Sequence, residues 1–378
     1  MIQAELIATQ DNQALSQHLQ QEIYQQNGKI SFAWFMQQAL YAPGLGYYSA
    51  PTQKFGAYGD FVTAPEIGNL FAQCLAQQCI DIFADTSTNC ILELGAGSGQ
   101  LAVDLLMTLQ QANVSIQNYY ILEISAELQQ RQQEKILSLC PAYAPIVQWL
   151  TALPDHQFNG VIIANEVMDA MPVNIFHFAN NKLQEYYVQY FNQQFTYVLD
   201  EPSEELAHFF HGKNLANLIS QPYSSEINLW LAPWIKSLAA CLGTGAIILF
   251  DYGFGRTEYY HPQRNSGTLM CHYRHHNNAN PLINIGRQDI TAHVDFTTVA
   301  ETAIDCGMHI AGYTNLACFL INCGLLDLIQ TPKPTQNHEI NILTSPAEMG
   351  ELFKVIALTK KPDAQLKGFR NYNKVYSL

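Results

Sequence analysis

The chain has 378 residues, 48% of them apolar and only 13% charged, with a net charge of −14. That length implies one large domain carrying an insertion, or two domains. The acidity argues against a generic nucleic-acid binder, which needs a basic face, and with charged residues far below the usual quarter the polar surface falls to Gln, Asn, Ser and Thr.

Nine cysteines are scattered without a C-x-x-C pair, and Cys74/Cys79 and Cys318/Cys323 lie inside apolar helical patterns. Buried thiols in a reducing compartment follow. The N-terminus shows no apolar signal core and no Lys or Arg before Lys29, so neither a secretory signal nor a transit peptide is expected, and the expected location is the cytoplasm. No apolar run reaches membrane-spanning length.

Residues 4–27 are Gln-rich, with Leu6, Leu15, Leu19 and Ile23 at helical spacing, and predict a surface helix. A more apolar helix over Ile30–Leu40 ends at the turn signal Tyr41-Ala42-Pro43-Gly44. Two aromatic, glycine-rich stretches follow, Gly44–Ser49 and Phe55–Ile67. Such loops serve as lids or substrate clamps, or simply pack. Glu66–Phe83 then predicts one core-facing helix bearing Ile67, Leu70, Phe71, Cys74, Leu75, Cys79 and Ile82.

Ile91-Leu92-Glu93-Leu94 reads as a strand running into Gly95-Ala96-Gly97-Ser98-Gly99, and Leu101, Leu105, Leu106 and Leu109 mark the helix behind it. Glycines admit positive φ and let backbone N–H groups approach a ligand, and the helix N-terminus favours negative charge. A dinucleotide fold wants G-x-G-x-x-G, whereas Gln100 stands at the third glycine. A second strand, Tyr119–Ile124, carries Glu123 at its end. A carboxylate there can accept hydrogen bonds from a ribose diol, which supports an adenosine ligand without choosing between cofactors.

Ile146–Trp149 is a short third strand, and Gly160–Glu166 a fourth running into Val167–Val173. Ligands of open α/β sheets sit beyond the carboxyl ends of the strands. Asn165, Glu166 and Asp169 therefore project toward the site if this strand neighbours the first; the alternative is an Asn165 cap on a helix with both acids in its first turn. Alternating aromatics over 174–235 predict inserted antiparallel hairpins. Glu226–Leu242 predicts a helix with Leu229, Trp230, Ile235 and Leu238 toward the core, and Gly245–Gly253 a fifth strand containing Asp251.

Residues 255–293 read as a loop rich in Arg and His. Cys271-His272 and His275-His276 lack a second ligand group at zinc spacing, so the polar rim of a substrate cleft is expected rather than a metal. A helix over Thr298–Cys306, strands at His309–Thr314 and Leu352–Leu358, and a helix near Leu316–Ile329 complete the chain.

The G-x-G-x-G turn preceded by Glu93 resembles the first motif of class I S-adenosylmethionine (SAM) methyltransferases. Six further motifs stand in order with it: Gly44-x-Gly46-Tyr47-Tyr48, Gly59–Glu66, Asn165-Glu166-x-x-Asp169-Ala170-Met171-Pro172-Val173, Asp251-Tyr252-Gly253, Asp289–Phe296 and Met349-Gly350-Glu351-x-Phe353. Together they resemble the MidA-like family of SAM-dependent methyltransferases, which includes the mitochondrial complex I assembly arginine methyltransferases.

The resemblance implies an α/β class I fold, Rossmann-like, with a seven-stranded sheet. It implies an N-terminal helical segment (1–85), a SAM-binding domain (86–378) and hairpins inserted at about 174–235. SAM would lie against Glu93, Gly95, Ala96, Gly97, Gly99, Glu123, Asn165, Tyr47, Phe61 and Thr63, with the glycines receiving its methionine half and Glu93 facing its ammonium. The implied reaction is methylation of arginine on a protein, with a respiratory complex I subunit as the family's target. Guanidinium is cationic and a poor nucleophile, so carboxylates must fix it and help remove a proton. Glu166 and Asp169, with Asn165 beside them, are the expected groups, Asp60 and Asp295 second choices, and Tyr47, Phe61 and Tyr252 candidate cation–π partners. Other readings are a methyltransferase for another nucleophile and a SAM-binding assembly factor. Oligomeric state is left open, a homodimer included.

Overall fold

The computed structural model describes residues 12–49, 63–274, 276–329 and 334–378. The expectations for Leu6, Phe55, Asp60, Phe61 and His275 lie outside the described residues. Of the described residues, 63–169, 231–256 and 294–378 form one compact unit, and 12–49, 170–230 and 257–293 another.

The first unit is built on seven strands, numbered here in chain order: β1 Cys90–Leu94, β2 Asn118–Leu122, β3 Val147–Leu150, β4 Phe158–Asn165, β5 Leu242–Phe254, β6 His309–Asn315 and β7 Phe353–Thr359. They are hydrogen-bonded in the order β6-β7-β5-β4-β1-β2-β3, and a two-residue eighth strand, Val294–Asp295, runs beside the end of β5. β7 is antiparallel to both neighbours, while β1 to β5 are mutually parallel. β4 does neighbour β1, with Leu94 opposite Ala164, so strand order reverses between them.

One sheet face carries Ile91, Tyr119, Ile121, Val161, Ile163, Ile248, Phe250 and Val355, buried against Leu70–Phe83, Gln100–Gln111 and Leu316–Asn322. Parallel strands covered by helices read as continuous apolar runs, which is why β1, β4 and β5 were visible in the sequence. The helix expected over 66–83 is instead two, Ala64–Ile67 and Leu70–Phe83. The buried Glu339 carboxylate causes the break: it fills the space beside Gly68 and accepts the Leu70 N–H at 2.6 Å. A carboxylate at that first turn also suits the helix dipole. Residues 63–85 thus cover the sheet rather than belonging to a separate N-terminal segment.

In the second unit, Ile30–Ser31, Asn174–Ala179, Lys182–Phe191, Gln194–Asp200 and Tyr223–Ile227 form an antiparallel sheet, the hairpins expected from the alternation. Leu15, Leu19 and Ile23 of the Gln13–Gln25 helix and Phe32, Phe35 and Met36 of the Phe32–Tyr41 helix share a core with Ile175 and Val188. Asn12 and Ser31 cap these helices, accepting from Leu15 N and Trp34 N.

Two expectations are corrected here. Residues 255–293 are not simply a loop: Met270–Tyr273, His276–Asn278 and Asp289–Thr291 form a three-stranded sheet. Glu226 lies in a strand rather than a helix, because its buried carboxylate accepts Thr268 N at 3.0 Å and Thr268 Oγ1 at 3.1 Å. The following helix begins only at Leu231, and Trp230, expected in the core, is 50% exposed.

Past the end of β5, the buried Arg256 donates from Nε to Asp295 Oδ2 at 3.1 Å and from both terminal nitrogens to Glu301 at 2.8 Å. Asp295 also caps the Phe296–Asp305 helix through Thr297 N and Thr298 N. Removing one partner of a buried pair strands the other charge, at a cost of about 3–5 kcal/mol. Arg256→Met should lower unfolding free energy by about that amount in urea titration, while Lys361→Met, which breaks the exposed pair with Asp85, should cost less than about 1 kcal/mol.

Candidate active site

At the end of β1 the chain turns through Gly95, Gly97 and Gly99 with φ of 65°, 52° and 78°. All three lie in the left-handed region that glycine enters without strain, and Gly99 immediately precedes the Gln100–Gln111 helix. The loop is fastened from outside. Ser98 Oγ bonds Glu66 of the Ala64–Ile67 turn, and Lys135 Nζ donates to Ser98 Oγ and Gln100 Oε1, each at 3.1 Å. Thr63 begins that same turn, its carbonyl accepting the Glu66 N–H at 2.9 Å. Ala96, within the loop, is buried.

Glu93 is 3% exposed and points toward the helical core, where Tyr119 Oη donates to its Oε2 at 2.6 Å. Burial raises its carboxyl to about 7; the Tyr119 hydrogen bond opposes the rise and the Glu123 charge adds to it.

β2 ends at Leu122, two residues before the expected end, because Glu123 turns the chain: its Oε1 accepts the Ser125 N–H at 2.9 Å. Its Oε2 accepts from Gln132 Nε2 at 3.2 Å. The buried carboxylate lies beyond the β2 terminus, beside the glycine loop's own strand. Ser125 in turn caps the helix Ala126–Leu139.

β4 ends at Asn165. The Asn165 amide nitrogen donates to Glu166 Oε1 at 3.1 Å, while its Oδ1 is buried and receives no hydrogen bond among the described residues. Such an atom is costly unless a ligand donor reaches it. Glu166 sits at φ 52°, its N–H donating to Phe250 O at 3.0 Å. A non-glycine residue held there is strained, a condition that concentrates at functional sites. No helix starts at Asn165, so the capping alternative falls away.

Asp251, fully buried in β5, holds this turn. Its Oδ2 accepts Met168 N at 2.9 Å and Asp169 N at 3.2 Å, and its Oδ1 accepts Tyr252 N at 2.8 Å. Burial and the neighbouring Glu166 charge push its carboxyl well above the ordinary range. The Tyr252 hydroxyl is likewise raised by burial and by the charges of Glu166, Asp169, Asp251 and Glu348. The charges of four carboxylates thus bear on one phenol near the carboxyl end of β5.

Two other expected site residues have the following surroundings. Both Asp295 oxygens are committed to Arg256 and to the helix they cap, so this carboxylate has a structural post. Tyr47 belongs to the second unit, buried edge-on against Tyr48 with ring centroids 5.1 Å apart. Asp60 and Phe61 lie outside the described residues.

A glycine loop, a buried acid just past the end of the next strand and a polar turn at the strand-order reversal define a class I methyltransferase fold. The model for the family described as "Putative S-adenosyl-L-methionine-dependent methyltransferase" matches residues 74–314, and the chain belongs to that family. A solved structure of a Burkholderia thailandensis protein bound to S-adenosyl-homocysteine is 38% identical, with a TM-score of 0.91 over 97% of each chain. The human mitochondrial protein arginine methyltransferase NDUFAF7 is 27% identical across 93% of this chain and 84% of its own. Its Caenorhabditis elegans homolog is 27% identical across 89% and 84%. The protein is a SAM-dependent methyltransferase. Asn165 Oδ1, without a hydrogen bond among the described residues, and the glycine cradle fit that cofactor; Glu93, Glu123 and the glycines would hold its ammonium, ribose and methionine half.

Two outcomes follow from these environments. The folded protein keeps a proton on Glu93 that the unfolded chain, titrating near 4.5, has already released. Stability from this group is complete below about 4.5 and is lost as pH rises through about 7. Glu93→Gln cannot ionise, so its stability relative to wild type should rise by about 3 kcal/mol between roughly pH 5 and pH 8 in urea melts without cofactor. A flat difference would show that Glu93 titrates normally. For the cofactor, Glu123→Ala should weaken SAM binding by about 1.5–3 kcal/mol in calorimetry with the fold retained.

Proposed function

We propose that this enzyme methylates arginine on a protein substrate. The observation that carries the reading is the acidic turn at the carboxyl ends of β4 and β5, where buried Asp251 accepts the backbone N–H groups of Met168 and Asp169 in the turn that bears Glu166 and Asp169; the charges of these acids and of Glu348 bear on Tyr252. A neutral nucleophile such as a hydroxyl asks for one base; a guanidinium asks for fixed negative charge on more than one side. The relatives named as protein arginine methyltransferases support the same substrate. By family resemblance, a respiratory complex I subunit is the first target to test. We place the reaction in the cytoplasm, in keeping with nine cysteines that are all free thiols. Among the described residues no helix is long and apolar enough to cross a membrane.

The cofactor, when bound, supplies a methyl group on a sulfonium that leaves as a neutral thioether. The protein's work is orientation: holding nucleophile, methyl and sulfur in line. Glu166 and Asp169 would grip the guanidinium and localise its charge away from the attacking nitrogen. As the N–C bond forms and the C–S bond breaks, one N–H proton must leave, and Glu166 is the acceptor assigned here. Asp251 acts behind them, its carboxylate fixing the backbone of the turn that presents both.

Glu166→Gln retains volume and hydrogen-bonding capacity but loses the charge. SAM affinity should stay within a small factor of wild type while methyl transfer from labelled SAM to host lysate falls by roughly 10²-fold. Mass spectrometry of the labelled band should place the methyl on arginine. Label on another side chain or in the metabolite fraction would refute the substrate class, and near-normal transfer by the variant would refute the role of Glu166.

A further inference from the structure

We infer that Gln132 is a positioning residue for the cofactor, locking the glycine loop and the ribose acid into one rigid seat. The inference rests on the reading that the glycine loop and Glu123 receive SAM. Gln132 lies in the Ala126–Leu139 helix and is completely buried, an unusual place for a long amide. Its environment explains why. Nε2 donates to the Gly97 carbonyl at 2.9 Å and to Glu123 Oε2 at 3.2 Å, and Oε1 accepts Trp149 Nε1–H at 2.9 Å.

The chemistry of the three partners admits one orientation of the amide. An indole nitrogen only donates, so Oε1 must face Trp149. A carbonyl and a carboxylate accept, so the two N–H bonds of Nε2 divide between them. The amide cannot flip without setting two acceptors against an acceptor and a donor against a donor. One side chain thereby connects the backbone turn meant for the methionine half, the acid meant for the ribose, and β3. The side chain and backbone of Gln132 also close on Gly99, where an added Cβ would lie 3.2 Å from Gln132 Cγ.

A rigid seat has a consequence for binding. If Gln132 fixes the Glu123 carboxylate before SAM arrives, loss of either residue removes much of the same contribution, because an unaligned carboxylate binds the diol poorly. The two effects should then overlap rather than add. A residue that only stabilises the fold would weaken binding independently of Glu123.

The test is a double-mutant cycle on the full chain, with SAM as the probe in calorimetry and thermal melts run alongside. Gln132→Met should raise the SAM Kd about 10- to 50-fold, and Gln132→Met/Glu123→Ala should bind within about threefold of Glu123→Ala alone. Trp149→Phe, which keeps a ring but removes the donor that orients the amide, should raise Kd about 2- to 5-fold with kcat unchanged at saturating SAM. This variant carries the test if Gln132→Met fails to fold. Multiplicative effects in the cycle, or wild-type affinity in a folded Gln132→Met or Trp149→Phe, would overturn the inference. If Glu123→Ala itself binds SAM normally, the reading of the ribose seat fails and the role of Gln132 falls with it; a weakened Glu123→Ala with an additive cycle removes Gln132 alone.

Discussion

Everything at the site depends on β4 lying between β1 and β5. Because the sheet grows outward from β1 in one direction through β2 and in the other through β4, the loops leaving β1 and β4 diverge to opposite sides and leave a crevice between them. Leu94 and Ala164 are register partners at the carboxyl ends, so Gly95 and Asn165 each stand one residue beyond a paired position. The Asn165–Asp169 turn thus leaves the sheet beside the glycine loop. Without that pairing, neither the glycine loop nor the polar turn would have a partner across the crevice.

Burial of carboxylates is the second constraint, and the same unit meets it in three ways. Asp295 is held by a guanidinium and the first N–H groups of a helix, the most extensive compensation of the three, although burial still raises its carboxyl. Asp251 is met by three backbone N–H groups, so its charge is used to shape a turn. Glu93 receives a single phenol hydrogen bond, and burial carries its carboxyl to about 7. The ordering separates roles: the best-compensated acid is structural, the intermediate one presents the site's backbone, and the least compensated one sits two residues before the glycine loop. A cation arriving near Glu93 would complete what the protein alone leaves incomplete.

The parts of this architecture that were legible in the sequence are the local ones. The strand–glycine turn–helix unit lies within 90–111 and announces itself by a change of hydrophobic period. The inserted hairpins do so by alternation. Missed features depend on residues far apart in the chain. The break at Gly68 requires Glu339, 269 residues from the N–H it accepts. Glu226 looked helical because its strand-fixing partner, Thr268, is 42 residues on. Asp251 reads in the sequence only as an acid within the fifth strand, but the N–H groups that give it a role belong to Met168 and Asp169. Gln132 carried no signal: in a helix with five other glutamines or glutamates between 127 and 134, only the fold shows which amide is buried. Asp295 shows the opposite failing, since an acid inside a family motif suggested chemistry where the structure finds an ion pair and a cap.

Electrostatics gives the proposed reaction its coherence. A guanidinium and a sulfonium are both cations, and two unit charges about 4 Å apart repel by about 4 kcal/mol at an effective dielectric of about 20. Transfer turns that pair into one cation, one neutral thioether and one released proton, so negative charge at the site must first assemble the reactants and then take up or pass on the proton. The chain is sparing with charge, only 13% of residues, yet the charges of four carboxylates bear on Tyr252. Burial first and the Glu166 charge second raise the Asp251 carboxyl, and a cation entering beside these acids would oppose that rise. In the proposed reaction, the same negative charge that draws the two cationic reactants together places Glu166 to accept the released proton.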